Sequence, residues 1–138
     1  MQRKSNEKGI EKKESTLHFT EPRIVRVLFT TNREFDPSKY KGMDTDISIL
    51  NEPQKDNALR IVLSICIGKG KKTHPFSMEL DVEADFKWEN GTSEKQIEYM
   101  THHNCVALLL SYARPYITHL TVDAGFEPFT LPYVDLRG

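Results

Sequence analysis

Phe76-Ser77-Met78-Glu79-Leu80-Asp81-Val82-Glu83-Ala84-Asp85-Phe86-Lys87-Trp88-Glu89 is the stretch on which the fold turns: every even position is apolar and every odd one polar. Successive side chains of a strand point to opposite faces, so the alternation predicts one strand with a greasy face and a charged face. At about 3.3 Å per residue it spans roughly 40 Å, longer than a typical strand. A sheet built on it must have its greasy face covered.

The residues before it supply the rest of the sheet. Gly68-Lys69-Gly70-Lys71-Lys72 has the composition of a hairpin loop, so the preceding strand runs antiparallel to the alternating stretch. In that strand Leu59, Ile61, Leu63, Ile65 and Ile67 alternate with Arg60, Val62, Ser64 and Cys66. A short strand over 44–50 precedes it, separated by the turn-rich residues 51–57. The first strand covers 23–32, RIVRVLFTTN, with Val25, Val27 and Phe29 on one side. Between the first two strands, Pro37 breaks regular structure and leaves Phe35 and Tyr40 available for contact.

On the C-terminal side the period changes. Ser93-Glu94-Lys95-Gln96 is a capping box that starts a helix with Ile97 and Met100 inward. A longer helical pattern opens at Asn104 as N-cap and places Val106, Leu109, Leu110, Ala113, Ile117, Leu120 and Ala124 on one stripe, closed by Gly125. Pro115 inside it removes a backbone hydrogen bond, which predicts a kink. Residues 126–138, with Pro128 and Pro132, read as an extended apolar strap. Strands followed by helices make an α+β layer in which the helix covers the sheet.

The 138 residues fit one domain. Residues 1–15 hold a single aliphatic, Ile10, among five Lys or Arg and three Glu, and read as a mobile tail before a domain over 16–138. A formal charge of −1 lacks the positive field of a nucleic-acid binder. No apolar run approaches the roughly 20 residues of a membrane span and the N-terminus is too polar for a secretory signal, so a cytosolic protein without membrane insertion is expected. Cys66 and Cys105 have neither the number nor the spacing of a disulfide framework or zinc knuckle.

Two surfaces remain after this accounting. Leu108, Tyr112 and Tyr116 recur every fourth position beside the core stripe of the long helix. They either broaden that stripe or form a subunit interface, and an apolar arc reaching around most of the helix favours the interface. Glu79, Asp81, Glu83 and Asp85, joined by Asp46, make an acidic row that is either a solvated sheet face or a docking surface for a basic partner. Catalytic signals are weak. His102-His103-x-Cys105 lacks a second ligand pair for a metal, and Cys105 reads as a buried small residue more readily than as a nucleophile paired with a histidine. With no phosphate loop, nucleophile elbow or zinc motif, neither an enzyme nor a cofactor or metal is expected.

Asn104-Cys105-x-Ala107-x-Leu109-x-Ser111-Tyr112-Ala113-Arg114-x-Tyr116-Ile117, followed by Gly125-Phe126-x-Pro128-x-x-Leu131-Pro132-x-Val134, resembles the signature of the SecB family of protein-export chaperones. The resemblance extends over residues 23–134, with the C-terminal block the specific part. It implies a four-stranded antiparallel sheet with a long kinked helix packed on one face, assembled as a homotetramer, a dimer of dimers with helices between them. It also implies an ATP-independent holdase whose apolar grooves bind unfolded polypeptides, and an acidic sheet face that docks the translocation motor SecA. Glu79 matches the family's acidic docking position, with Asp81, Glu83 and Asp85 as neighbours. By their placement, Phe35, Tyr40, Phe126, Phe129, Leu131 and Tyr133 would line the groove. The sequence ends at Leu136-Arg137-Gly138, where export members continue into a further helix and an acidic tail that contacts SecA, so coupling to SecA is less expected than client binding. Shortened SecB-like proteins that protect an antitoxin of a toxin–antitoxin system imply a second reading, an adaptor with one dedicated client.

Overall fold

The structure is a computed structural model and describes residues 18–132; the N-terminal tail and Tyr133 lie outside the described residues. Its antiparallel sheet contains β1 (His18–Phe19), β2 (Arg23–Thr31), β3 (Thr45–Gln54), β4 (Ala58–Ile67) and β5 (Phe76–Lys87). The alternating stretch is the hub. β4 pairs along one side of β5, from Ala58 opposite Lys87 to Ile67 opposite Met78. β1 and β2 share its other side, opposite Lys87–Phe86 and Glu83–Phe76 respectively. The sheet therefore has five strands where four are expected, yet is four strands wide.

Residues 20–22 make the fifth strand by breaking the first. Pro22 has no N–H to give to a ladder, and Thr20 carries the edge past it: its N–H donates to the Asp85 carbonyl at 2.9 Å and its Oγ1 accepts from the Asp85 N–H at 3.0 Å. A bulge follows, since Ile24 stands opposite Val82 and Arg26 opposite Asp81, leaving Val25 unpaired. The predicted grouping of Val25, Val27 and Phe29 on one side is corrected by that extra residue. Ile24, Val27 and Phe29 take the core side, and Val25 is exposed.

β3 also runs further than the sequence suggests, through Pro53 to Gln54. An edge strand tolerates proline because the missing N–H would have pointed away from the sheet. Only residues 55–57 turn, with Asp56 and Asn57 at φ 62 and 57, a left-handed region these two residue types accept.

Ser93 caps the helix as predicted, its Oγ accepting from the Gln96 N–H at 3.2 Å. Asn104 does not begin a second helix. α1 (Glu94–Tyr99) passes through one π-helical turn (Met100–Cys105) into α2 (Val106–Asp123), which continues through Pro115. The π turn absorbs the phase difference between the two apolar patterns, so no break is needed. Gly125, at φ +94, closes α2: its N–H donates to the Val122 carbonyl and the Phe126 N–H to the Thr121 carbonyl, both at 3.0 Å. Ala124, placed on the core stripe by its spacing, is exposed because the helix has already ended.

Val106, Leu109, Ala113 and Ile117 of α2 lie on Ile61, Leu63, Leu80, Val82 and Phe86 of the two central strands, all essentially inaccessible. Burying one such aliphatic side chain contributes about 1.5–3 kcal/mol. One helix cannot cover four strand widths. At the edges Val27 and Ile49 face the covered side by register and remain 44% and 42% exposed.

Candidate functional site

Beside α2 an open cavity of about 430 Å³ is lined by Phe35, Tyr40, Met43, Phe76, Phe126 and Phe129, with Pro37, Pro75, Glu127 and Pro128. One wall is the β2–β3 connection. Asp36 shapes it, its Oδ1 accepting from the Ser38 N–H at 3.0 Å at the start of a 3-10 turn (Pro37–Lys39). The Asp36 N–H donates to the Lys72 carbonyl at 2.8 Å, and buried Asn32 donates through Nδ2 to the His74 carbonyl at 3.0 Å, tying this connection to the β4–β5 loop. So held, Phe35 meets Tyr40 edge-on at 5.9 Å between ring centroids.

The other wall is the segment after α2. Its chain reversal at Gly125 sets Phe126 against Phe76 and Phe29, at centroid distances of 5.0 and 5.9 Å. Three polar side chains of α2 then fasten the strap. Thr121 Oγ1 accepts from the Phe129 N–H, Thr118 Oγ1 donates to the Phe129 carbonyl, and Arg114 Nε donates to the Leu131 carbonyl, each at 3.0 Å. Sequence reasoning missed these residues, whose signal is polar residues at helical spacing beside the apolar stripe. Leu131 is fully buried in the core, which corrects its placement in an open groove. Phe35, Tyr40, Phe126 and Phe129 are brought together.

The acidic row lies on the uncovered face of the sheet, but it is not a row of unpaired carboxylates. Arg26 Nη2 donates to Glu79 Oε2 at 2.8 Å, and Arg23 bonds Glu83. Arg60 donates through Nε to Asp85 Oδ1 at 2.8 Å and stands 3.7 Å from Glu83. Glu83 is buried under the two arginines. The hydrogen bond and charge of Arg60 hold the Asp85 carboxyl below its ordinary range against the opposing effect of its partial burial. Among the described residues Asp81 makes no ion pair, and Asp46 is bonded by Lys69. The expected negative field is thus largely neutralised, because β2 and β4 bring arginines into register beside β5.

Along the outer side of α2, Tyr112 is 41% exposed, whereas Leu108 and Tyr116 are half-buried against the core. His102 and His103 meet edge-on, with ring centroids 6.2 Å distant, and Cys105 faces the core. Among the described residues no three His, Cys, Asp or Glu side chains gather as a metal would require. Burial pushes the Cys105 thiol up to about 12, which keeps it protonated and a poor nucleophile at neutral pH.

An antiparallel sheet covered on one side by a single long helix is the fold of the SecB-like chaperones. The structure superposes on the SecB-like chaperone of Mycobacterium tuberculosis, solved in complex with a peptide from an antitoxin, with a TM-score of 0.69 at 16% identity, over 86% of this chain and 91% of that one. The family model for SecB, preprotein translocase subunit SecB, matches residues 19–138, and this chain belongs to the SecB family. The protein-export protein SecB of Rickettsia africae is 31% identical over 94 residues, 67% of this chain and 60% of that protein. Its counterpart in Rickettsia bellii is 28% identical over 103 residues, 74% of this chain and 65% of that protein. The chain thus matches less than two thirds of the length of these relatives. Among the described residues no helix is long and apolar enough to cross a membrane.

Proposed function

We propose that this chain is an ATP-independent holdase that keeps non-native polypeptides unfolded or soluble, with the cavity between Phe35–Tyr40 and Phe126–Phe129 as its client groove. The observation that carries this reading is an aromatic groove open to solvent in a chain of the SecB family. Unfolded segments expose scattered apolar side chains, and a greasy groove takes them with little demand on their sequence. Weak contacts repeated over several copies of the chain give tight but reversible capture, which favours the homotetrameric assembly the family implies, with Tyr112 and its neighbours Leu108 and Tyr116 at the helix interface. Work of this kind belongs in the cytosol, before clients cross or fold.

A second reading, an adaptor dedicated to one client such as an antitoxin, is favoured by the likeness in fold to a SecB-like chaperone solved with an antitoxin peptide. Docking of SecA on Glu79, Asp81, Glu83 and Asp85 has less support, since the arginines of β2 and β4 compete for Glu79, Glu83 and Asp85. Light scattering from a chemically denatured, aggregation-prone protein diluted into buffer tests the first reading. Equimolar chain is expected to suppress the scattering without nucleotide. Unchanged scattering would remove the general holdase, and rescue confined to one native partner would select the adaptor.

A further inference from the structure

The wall that carries Pro37, Tyr40 and Met43 to the aromatic groove has a second side. Ser38, Lys39, Lys41, Gly42 and Asp44 alternate with those residues and line a separate cavity of about 550 Å³, closed by Thr73 and His74. Residues 37–44 are thus a ridge, apolar toward the groove and cationic away from it. Lys39 and Lys41 make no ion pair among the described residues, and neither do Lys71 and Lys72 in the adjoining loop, whereas Lys69 is engaged by Asp46. The carboxylate lining the cationic cavity, Asp44, stands 3.4 Å from Nε2 of buried His74. Glu127, the carboxylate lining the groove, belongs to the strap on the opposite wall.

From this juxtaposition we infer that the site prefers polypeptide segments in which apolar residues lie within a few positions of carboxylates. The apolar part lies in the groove and the acidic part crosses the ridge to Lys39 and Lys41. The inference rests on the client-groove reading and adds to it the charge class of the client. A basic flank meets like charge on the ridge, and like charges brought together without compensation cost affinity.

The test uses two fluorescein-labelled peptides with one shared aromatic and aliphatic core, extended on the same side by two Glu or by two Lys, titrated with the whole chain by anisotropy. The Glu-extended peptide is expected to bind about three- to tenfold more tightly at low salt, the range of two exposed ion pairs. The difference should shrink in 0.5 M salt, on the order of one Debye length of about 4 Å. Replacing both lysines, Lys39→Glu with Lys41→Glu, should reverse the order, and Lys39→Gln with Lys41→Gln should abolish it; these side chains are exposed and do not hold the core. Equal affinities, tighter binding of the Lys-extended peptide, or an order untouched by the variants overturns the charge preference alone. Failure of both peptides to bind overturns the groove as well.

Discussion

Cys66 and Cys105 carry the same thiol into opposite surroundings. Cys66 lines an open cavity on the uncovered sheet face, while Cys105 is buried in the core and held protonated there. An alkylating reagent at pH 8 is therefore expected to modify Cys66 in the native protein and Cys105 only after denaturant is added; rapid loss of both thiols from folded material would contradict the packing at the start of α2. Burial of Cys105 was legible in its character, a small apolar thiol at the start of a core helix. A second residue-scale consequence concerns Asp85, whose carboxyl is held low by Arg60. A folded-state value below the unfolded one contributes stability that is present above the unfolded value of about 3.9 and is lost as pH falls through the folded one. Denaturant midpoints should fall from about pH 5 downward, and Arg60→Ala should flatten that fall while lowering the midpoint at pH 7. A slope identical in the two proteins would remove the pair from the account. The alternation of β5 revealed the acids but not the arginines beside them. Cross-strand neighbours depend on register, and the bulge at Val25 resets it by one residue.

At the scale of elements, the sheet and the helix were readable because each repeats its own period: two for β4 and β5, 3.6 for α2. What failed were the joints. Pro22 divides the first strand, Pro53 sits harmlessly on an edge, and the π turn at Met100–Cys105 fuses what look like two helices. Each joint is decided by which backbone groups find partners, a property of the assembled sheet or helix rather than of local composition. Of the strap expected over 126–138, residues 126–132 are described and hold no helix or strand, whereas residues 133–138 lie outside the described residues; the attachment through Arg114, Thr118 and Thr121 was missed. The outer side of α2 carries the prediction for assembly. Tyr112 is the exposed member of its stripe, so Tyr112→Asp leaves the core intact and places a charge in the proposed helix interface. Its mass by light scattering should drop to that of a smaller assembly, and an unaltered mass with native circular dichroism would contradict the interface.

For the whole molecule, the decisive imbalance is between one helix and a sheet four strands wide. The helix buries the two central strands and leaves apolar surface along both edges, and the β2–β3 connection and the strap convert one of those margins into an aromatic groove. Phe35, Tyr40, Phe126 and Phe129 meet there although up to 94 positions separate them in the chain. Their convergence was visible only through family resemblance, since no local pattern brings a loop before β3 beside a segment after α2.

The most direct measurement is the affinity of a permanently unfolded, labelled polypeptide for the native chain and for Phe35→Ser with Tyr40→Ser, two groove residues outside the buried core. Binding by the native chain is expected, with a loss of about tenfold or more in the variant, the effect of about 1.4 kcal/mol of lost apolar contact, and with secondary structure and assembly unchanged. Equal affinity in a folded variant, or no affinity in the native chain, would contradict it.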